Sequence, residues 1–231
     1  MRTIGLIGGM TWESSVEYYR ILNERVAQRL GGLHSAKCVM VSIDFAPLEM
    51  QQERGEWDEA GRELAKAARQ LEHAGAECVL ICANTMHKVM DAVQSAVSIP
   101  LLHIADATAA RVKAAGLNTI ALMGTKYTME EGFYKDRLSQ RFGLRVITPT
   151  AADREIIHRV IYQELGFGIL RPESKAAYLR IIDDLVAQGA QGVILGCTEI
   201  GLLVKQEDHP APLFDTTRIH AEAAVDWALQ E

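Results

Sequence analysis

Residues 3–8 read TIGLIG, and residues 119–124 read TIALMG. A second pair of segments follows in the same order, since AGAECVLI at 74–81 resembles QGAQGVIL at 188–195. Each pair contains a short apolar run of the kind found in buried strands of parallel sheets. Any two strand–glycine elements share some likeness, but two matches in the same order and at nearly the same spacing favour an internal duplication. The sequence therefore predicts two similar halves.

Short apolar runs alternate with longer amphipathic ones, which predicts an α/β protein with mainly parallel sheets. Strands are expected at 3–8, 38–43, 78–82, 119–124, 145–147 and 192–196, with short ones near Leu101 and Leu213. Helices are expected at 12–30, 57–74, 172–188 and 216–229. We expect two Rossmann-like domains related by a pseudo-two-fold axis, one comprising 1–98 plus 210–231 and the other 99–209. Ligands bind at the carboxyl ends of parallel strands, so the active site is expected in the cleft between these domains.

Composition narrows the classes of partner. The net charge of −6 argues against nucleic acid, which requires a basic surface. No apolar run is long enough to span a membrane, and the apolar stretch at 3–8 is too short for a signal peptide. These features predict a cytoplasmic protein that does not bind membranes. The four cysteines and seven histidines lack metal-ligand spacing, so no metal site is expected.

Chemically useful residues follow the matched strands. ICANT at 81–85 aligns with LGCTE at 195–199, which places Cys197 at the end of a buried strand. A helix beginning after Cys197 is expected to lower the pKa of its thiol. The hydroxyl of Thr198 can donate a hydrogen bond to the carboxylate of a ligand. The polar pair Asn84 and Thr85 lies at the equivalent strand end. Buried polar groups without partners are costly, which favours their facing a polar ligand.

A Gly-Cys-Thr triplet alone is a weak signal, because a cysteine at a strand end is more often structural. Cys38, Cys78 and Cys82 lie in or beside apolar runs and are interpreted as reduced core thiols. Cys197 differs from them because its partner segment carries polar groups.

Three motifs together resemble a known family. GLIGGMTWESS at 5–15, ANTMHK at 83–88 and GCTEIGLL at 196–203 are similar to the aspartate/glutamate racemase superfamily, and the likeness covers essentially the whole chain. The resemblance implies a two-domain isomerase that uses neither pyridoxal phosphate nor metal, acts on a small amino acid and forms a homodimer. It also implies two cysteines on opposite faces of the substrate α-carbon, because inversion needs an acid and a base on opposite sides.

The resemblance assigns Cys197 as one catalytic base. The other thiol is expected immediately before Asn84, where this chain has Ala83, so the position of the second acid/base lacks its reactive group. Cys82 is the alternative second base. Neighbouring strand residues point to opposite faces, however, and this favours a core position for Cys82.

The resemblance also assigns substrate-binding residues. The α-carboxylate and amino group are expected to contact Asn84, Thr85, Thr125, Thr128 and Thr198, while Met10 and Gln52 line the side-chain pocket. Arg54 and Lys126 are candidate cations for an acidic substrate, with ordinary surface charge as the alternative. Glu199, where glutamate racemases often carry histidine, favours the aspartate racemase branch and is a candidate for orienting Cys197. Glu164 is interpreted as a structural carboxylate.

Three functions are consistent with this pattern. The first is a racemase of aspartate, glutamate or a related amino acid that removes and returns the α-proton without a cofactor. The second is a decarboxylase or isomerase of diacids in the same superfamily, in which Cys197 acts alone. The third is an amino-acid binding protein that lost catalysis together with its second thiol.

Overall fold

The computed structural model describes residues 1–230, which divide into two α/β units. The first unit comprises Met1–Ile104 and the C-terminal segment that begins at His220, and the second comprises Ala105–Ile219. Each unit is built on a parallel sheet, with three strands in the first and four in the second. The predicted fold class is confirmed.

The first unit alternates strands with helices. Its elements are β1 (Ile4–Gly8), α1 (Trp12–Leu30), β2 (Cys38–Ser42), α2 (Phe45–Arg54), α3 (Trp57–His73), β3 (Cys78–Ile81), a 3-10 helix (Thr85–Val89) and α4 (Met90–Gln94). The side chain of Asp44 starts α2 by accepting a hydrogen bond from the Ala46 amide. This helix, which the sequence analysis did not identify, carries Gln52.

The second unit repeats the same plan. Its elements are α5 (Ile104–Ala114), β4 (Thr119–Gly124), α6 (Lys126–Glu130), α7 (Gly132–Phe142), β5 (Arg145–Ile147), α8 (Ala151–Gln163), a 3-10 helix (Leu165–Phe167), α9 (Pro172–Ala187), β6 (Val193–Gly196), α10 (Ile200–Leu203), a 3-10 helix (Gln206–Asp208), β7 (Leu213–Asp215) and α11 (Thr216–Ala228). Helix α11 continues into the first unit at His220. Within residues 1–230, no helix combines the length and the apolar character needed to cross a membrane.

The strand order of the two sheets reflects the sequence repeat. In the first sheet β1 lies between β2 and β3, and in the second β4 lies between β5 and β6. Both copies of the TIxLxG segment therefore form inner strands, and β6, which lies between β4 and β7, is a third inner strand. All residues of β1 are buried, as are those of β4 after its first position, and this explains their continuous apolar sequence.

The short outer segments differ from expectation. Leu101 forms only a single parallel bridge with Val79. The strand near Leu213 was expected in the first domain, but β7 pairs with β6 and so extends the second sheet. The position of β7 is set by its backbone hydrogen bonds to β6, in which Leu195 lies opposite Asp215, although the helix that follows it continues into the first unit. The units divide after Ile104 and Ile219, whereas the expected boundaries followed residues 98 and 209.

The cores lie on the sheet faces and follow the two-residue period of the strands. In the first unit, Val79, Ile81 and Ala83 belong to one apolar cluster, while Leu80 and Cys82 belong to another. In the second unit, Val193, Leu195 and Cys197 share a cluster, which also contains Tyr178 and Ile200. Ala83 and Cys197 therefore have the same parity relative to their strands.

The turn after β1 requires glycine at position 9. Gly9 has a φ of +90°, and a Cβ there would overlap the Ile43 carbonyl oxygen and lie 2.7 Å from the Ile43 nitrogen. The Gly9 amide donates a hydrogen bond to the Ser15 hydroxyl at 2.8 Å, which ties the turn to α1. The turn therefore fixes the position of Met10, which follows Gly9 directly.

We expect Gly9→Ala to destabilise the fold by about 3 kcal/mol or more, because it combines a left-handed backbone with steric overlap. Gly31→Ala is the matched control, since Gly31 has a φ of +74° but open space around its Cβ position. The control should lose only about 1 kcal/mol from backbone strain. Urea unfolding measures both, and equal losses would show that the packing against Ile43 contributes nothing.

Candidate active site

The candidate catalytic thiol lies at the carboxyl end of β6. Cys197 follows Gly196 directly, and the chain then turns through Thr198 and Glu199 into α10. Gly196 pairs with Gly124 at the end of β4, where an added Cβ on Gly124 would lie 2.6 Å from the Gly196 carbonyl oxygen. Only glycine fits at this position without overlap, and Thr125 follows Gly124 directly.

Cys197 and Glu199 form a buried hydrogen-bonded pair. The Cys197 thiol donates to Glu199 Oε2 at 2.8 Å, and the Thr198 hydroxyl donates to the same oxygen at 3.0 Å. Glu199 is 3% exposed and Thr198 is 4% exposed, so water screens these contacts little. The thiol proton thus already points at a carboxylate that can accept it.

The pKa of the Cys197 thiol is raised well above its ordinary value, first by burial and then by the charge of Glu199 and the hydrogen bond to it. The backbone amides of Glu199 and Thr198 act in the opposite direction, because they donate to the sulfur. The expectation of a lowered pKa was therefore wrong. Helix α10 has only four residues, and its N-terminus does not offset desolvation and a neighbouring carboxylate.

Two threonines follow the neighbouring strand β4. Thr125 caps α6, because its hydroxyl accepts from the Thr128 amide at 3.3 Å, and the two hydroxyls lie 3.2 Å apart. Both residues are buried, and the Thr128 side chain packs beside Gly124 and Gly196. Thr125 and Thr128 thus lie at the end of β4, which pairs with β6, the strand that precedes Cys197 and Thr198.

The first unit gathers the remaining candidates at its own strand ends. Ala83 and Met10 are buried in one apolar cluster with Met86. Gln52 is buried and donates its side-chain amide to the Met86 sulfur at 3.1 Å. Asn84 and Thr85, also buried, form the start of the 3-10 helix after β3.

Cys82 lies on the other face of β3 from Ala83. It is fully buried in the cluster that contains Leu80, Ile4 and Tyr18. Burial raises the pKa of its thiol far above the ordinary range. Cys82 is thus a protonated core residue, as strand alternation predicted.

The candidate cations are at the surface. Arg54 and Lys126 are both exposed, and the Lys126 ammonium lies 5.1 Å from the centre of the Tyr127 ring. Glu164 is half-buried and accepts a hydrogen bond from the Ser174 hydroxyl at 2.5 Å, and its structural role stays a prediction. Within residues 1–230, no group of three or more His, Cys, Asp or Glu side chains is arranged to hold a metal ion.

Two residues make contacts at this site that the sequence patterns did not predict. Glu199 was considered only for orientation, although its carboxylate accepts the hydrogen bond of the Cys197 thiol. His87 was overlooked, yet its ring contacts the Ala83 carbonyl at 2.8 Å. The signal was the ANTMHK motif itself, in which His87 stands four residues after Ala83, within reach of its carbonyl across one helical turn.

Comparison with known proteins identifies the family. A sequence profile described as Asp/Glu/Hydantoin racemase matches residues 7–224. The chain belongs to the Asp/Glu/hydantoin racemase family. Membership makes the protein an isomerase.

The chain is similar to proteins of known structure and to a racemase matched by sequence. A crystal structure from Yersinia pestis, of a protein that carries the provisional name Asp/Glu racemase, is 54% identical, with a TM-score of 0.91 and full coverage of both chains. An aspartate racemase homologue from Pyrococcus horikoshii OT3 is 36% identical, with a TM-score of 0.85 and full coverage of both chains. The broad specificity amino-acid racemase RacX of Bacillus subtilis (strain 168) is 21% identical, over 98% of each chain.

Proposed function

We propose that the protein is an amino-acid racemase in which Cys197 removes the α-proton of the substrate and Glu199 first accepts the thiol proton. The observation that carries this proposal is the 2.8 Å hydrogen bond from Cys197 to Glu199 at the carboxyl end of β6. Two further observations support it, namely membership of the racemase family and the buried threonines beside the thiol.

The proposed reaction begins with proton transfer from Cys197 to Glu199, which leaves a thiolate and a neutral carboxylic acid. The backbone amides of Thr198 and Glu199, which donate to the sulfur, stabilise the thiolate. The thiolate then takes the α-proton, and the electron pair of the C–H bond moves into the α-carbon and its carboxylate. Hydrogen-bond donors at that carboxylate stabilise the developing charge.

Substrate binding is proposed at the two sets of strand-end residues. Thr125, Thr128 and Thr198 supply hydroxyls on the second unit, and Asn84 and Thr85 supply polar groups on the first. These five side chains are proposed to hold the α-carboxylate and amino group. Met10 and Gln52, which are buried beside Met86, are proposed to border the side-chain pocket.

Ala83 determines how the proton returns in this proposal. Inversion requires a donor on the face opposite Cys197, and a methyl group has no proton to give. Reprotonation on that face then depends on water. Exchange of the α-hydrogen with solvent is therefore expected to be faster than racemisation.

Chiral analysis of single amino acids tests the function directly. Each L- and D-amino acid is incubated with the protein in deuterated water, and the enantiomers and their deuterium content are measured. We expect α-deuteration with slower racemisation for amino acids, including aspartate and glutamate. Ligand-induced thermal stabilisation without exchange for any amino acid would instead indicate a binding protein. Decarboxylation of malonate-type diacids without amino-acid exchange would indicate the single-thiol alternative.

Glu199→Gln separates the two effects of the carboxylate. Loss of its charge should lower the pKa of Cys197 towards the ordinary value, so that alkylation by iodoacetamide at pH 8 becomes faster. Loss of the proton acceptor should slow α-hydrogen exchange by about 100-fold. Alkylation rates across pH and exchange rates in deuterated water measure both. A variant in which thiol reactivity and exchange rise together would contradict the role of Glu199 as proton acceptor.

The expected homodimer and the expected cytoplasmic location stay predictions. Sedimentation of the purified chain tests the first.

A further inference from the structure

Three buried histidines form a cluster next to the end of β3 in the first unit. They are His87 in the 3-10 helix after β3, His103 just before α5, and His220 in α11. The ring centres of His87 and His103 lie 4.5 Å apart, and those of His87 and His220 lie 5.9 Å apart. The functional proposal uses none of them, although the cluster contacts the Ala83 backbone.

The hydrogen bonds of His220 define its protonation. Its Nε2 donates to the Leu102 carbonyl at 2.8 Å, so its Nδ1 accepts from the Tyr18 hydroxyl at 2.8 Å. Burial lowers the pKa of this ring to about 4, which keeps it neutral near pH 7. His220 therefore fixes the Leu102 peptide, two residues before Ile104, from the C-terminal segment.

The hydrogen bonds of His87 define its tautomer in the same way. The Ile104 amide can only donate, so His87 Nε2, 3.2 Å away, is the acceptor. The proton of a neutral ring is then on Nδ1, which donates to the Ala83 carbonyl at 2.8 Å. The His87 ring thus forms hydrogen bonds with the Ala83 carbonyl at the end of β3 and with the amide of Ile104, which belongs to the first unit.

The bond to Ala83 has a geometric consequence for the turn. A trans peptide is planar, so its carbonyl and the following amide point in opposite directions. When His87 fixes the Ala83 carbonyl, it also fixes the direction of the Asn84 amide. The hydrogen bond from His87 therefore fixes the orientation of the Ala83–Asn84 peptide relative to the sheet.

We infer that His87 is a positioning residue for the racemase reaction, and that its Nδ1–H sets the orientation of the Ala83–Asn84–Thr85 turn through the Ala83 carbonyl. The inference rests on the proposed function, since it assumes that this turn contacts the substrate. It assigns catalytic importance to one ring nitrogen of His87 and only structural importance to the other.

Two substitutions separate the two nitrogens. In His87→Asn the amide nitrogen stands near the position of Nδ1 and keeps a donor for the Ala83 carbonyl. In His87→Gln the terminal amide stands near the position of Nε2 and keeps an acceptor for the Ile104 amide. We expect His87→Asn to retain kcat while His87→Gln loses about 10-fold to 100-fold, because a misplacement of about 1 Å at a reacting centre can cost about 100-fold in rate.

His209→Gln is the control for a buried histidine that belongs to the second unit and whose ring nitrogens make no hydrogen bond to the turn. His209 is 8% exposed, and both ring nitrogens are bonded, to Asp183 at 3.0 Å and to the Ala211 amide at 3.0 Å. This variant should lower the melting temperature without changing kcat. Equal kcat in His87→Asn and His87→Gln, at a temperature where both are folded, would overturn the inference.

Ring nitrogen-15 shifts of the unaltered protein give a readout that does not depend on activity. We expect His87, assigned by the signal lost in His87→Asn, to show a protonated Nδ1 and an unprotonated Nε2. The opposite tautomer would overturn the inference even in an active racemase. If no amino acid undergoes α-hydrogen exchange, the proposed function fails, while the tautomer measurement still reports separately on His87.

Discussion

Cys197→Ser is expected to abolish α-hydrogen exchange for every amino acid that the unaltered protein exchanges in deuterated water. Serine is close in size to cysteine, but its hydroxyl is far less acidic, so Glu199 cannot generate a comparable base at position 197. The loss should be at least about 1,000-fold, in the range found for removal of a positioned general base. Mass spectrometry of the recovered amino acid measures the deuterium incorporated.

Cys82→Ala is the matched control for this experiment. Cys82 is also a buried thiol at a strand end, but it lies in the core cluster with Leu80 and Tyr18. Its replacement should leave the exchange in place. Exchange that persists in Cys197→Ser, or that disappears only in Cys82→Ala, would transfer the catalytic role away from Cys197.

Ala83→Cys is expected to raise the rate of racemisation by about 10-fold or more, since a positioned proton donor contributes at least this much. Ala83 and Cys197 follow aligned strands and have the same parity, so the proposal places the new thiol where the second acid/base belongs. Racemisation should rise more than α-hydrogen exchange, because water no longer limits return of the proton. Polarimetry and deuterium incorporation, followed together, separate the two rates.

Ala83→Val is the control for bulk. Valine also fills space beside Met10 and Met86, but it carries no transferable proton. It should not raise racemisation. If Ala83→Cys gives no more gain than Ala83→Val while its melting temperature is unchanged, position 83 is not the second acid/base.

Sequence patterns predicted most of the fold because those patterns are local. The apolar runs that include Ile4–Gly8 and Thr119–Gly124 are continuous, and continuous apolar strands are typical of the buried interior of parallel sheets. The two-residue period of a strand predicted that Cys82 faces the core. The likeness of residues 81–85 to 195–199 also indicated which residues gather at each strand end.

The protonation of the site could not be predicted in this way. The sequence suggested a helix N-terminus after Cys197 and thus a lowered pKa, but α10 is a single turn and Glu199 folds back onto the thiol. The pKa depends on how much water surrounds the sulfur, and Cys197 lies in a buried cluster with residues distant in the sequence, such as Tyr178 and Ile161. A one-dimensional pattern contains no information on this solvation.

The sequence by itself determined the duplicated α/β plan, the buried apolar strands and the strand-end position of Cys197, because these follow from periodicity and internal likeness. The tertiary structure decided that β7 joins the second sheet, that Cys197 is a buried thiol donating to Glu199, and that His87 holds the Ala83 carbonyl. Each of these depends on atoms that folding brings together in space. Strand pairing, desolvation and the tautomer of a buried ring are set by such contacts rather than by local propensity.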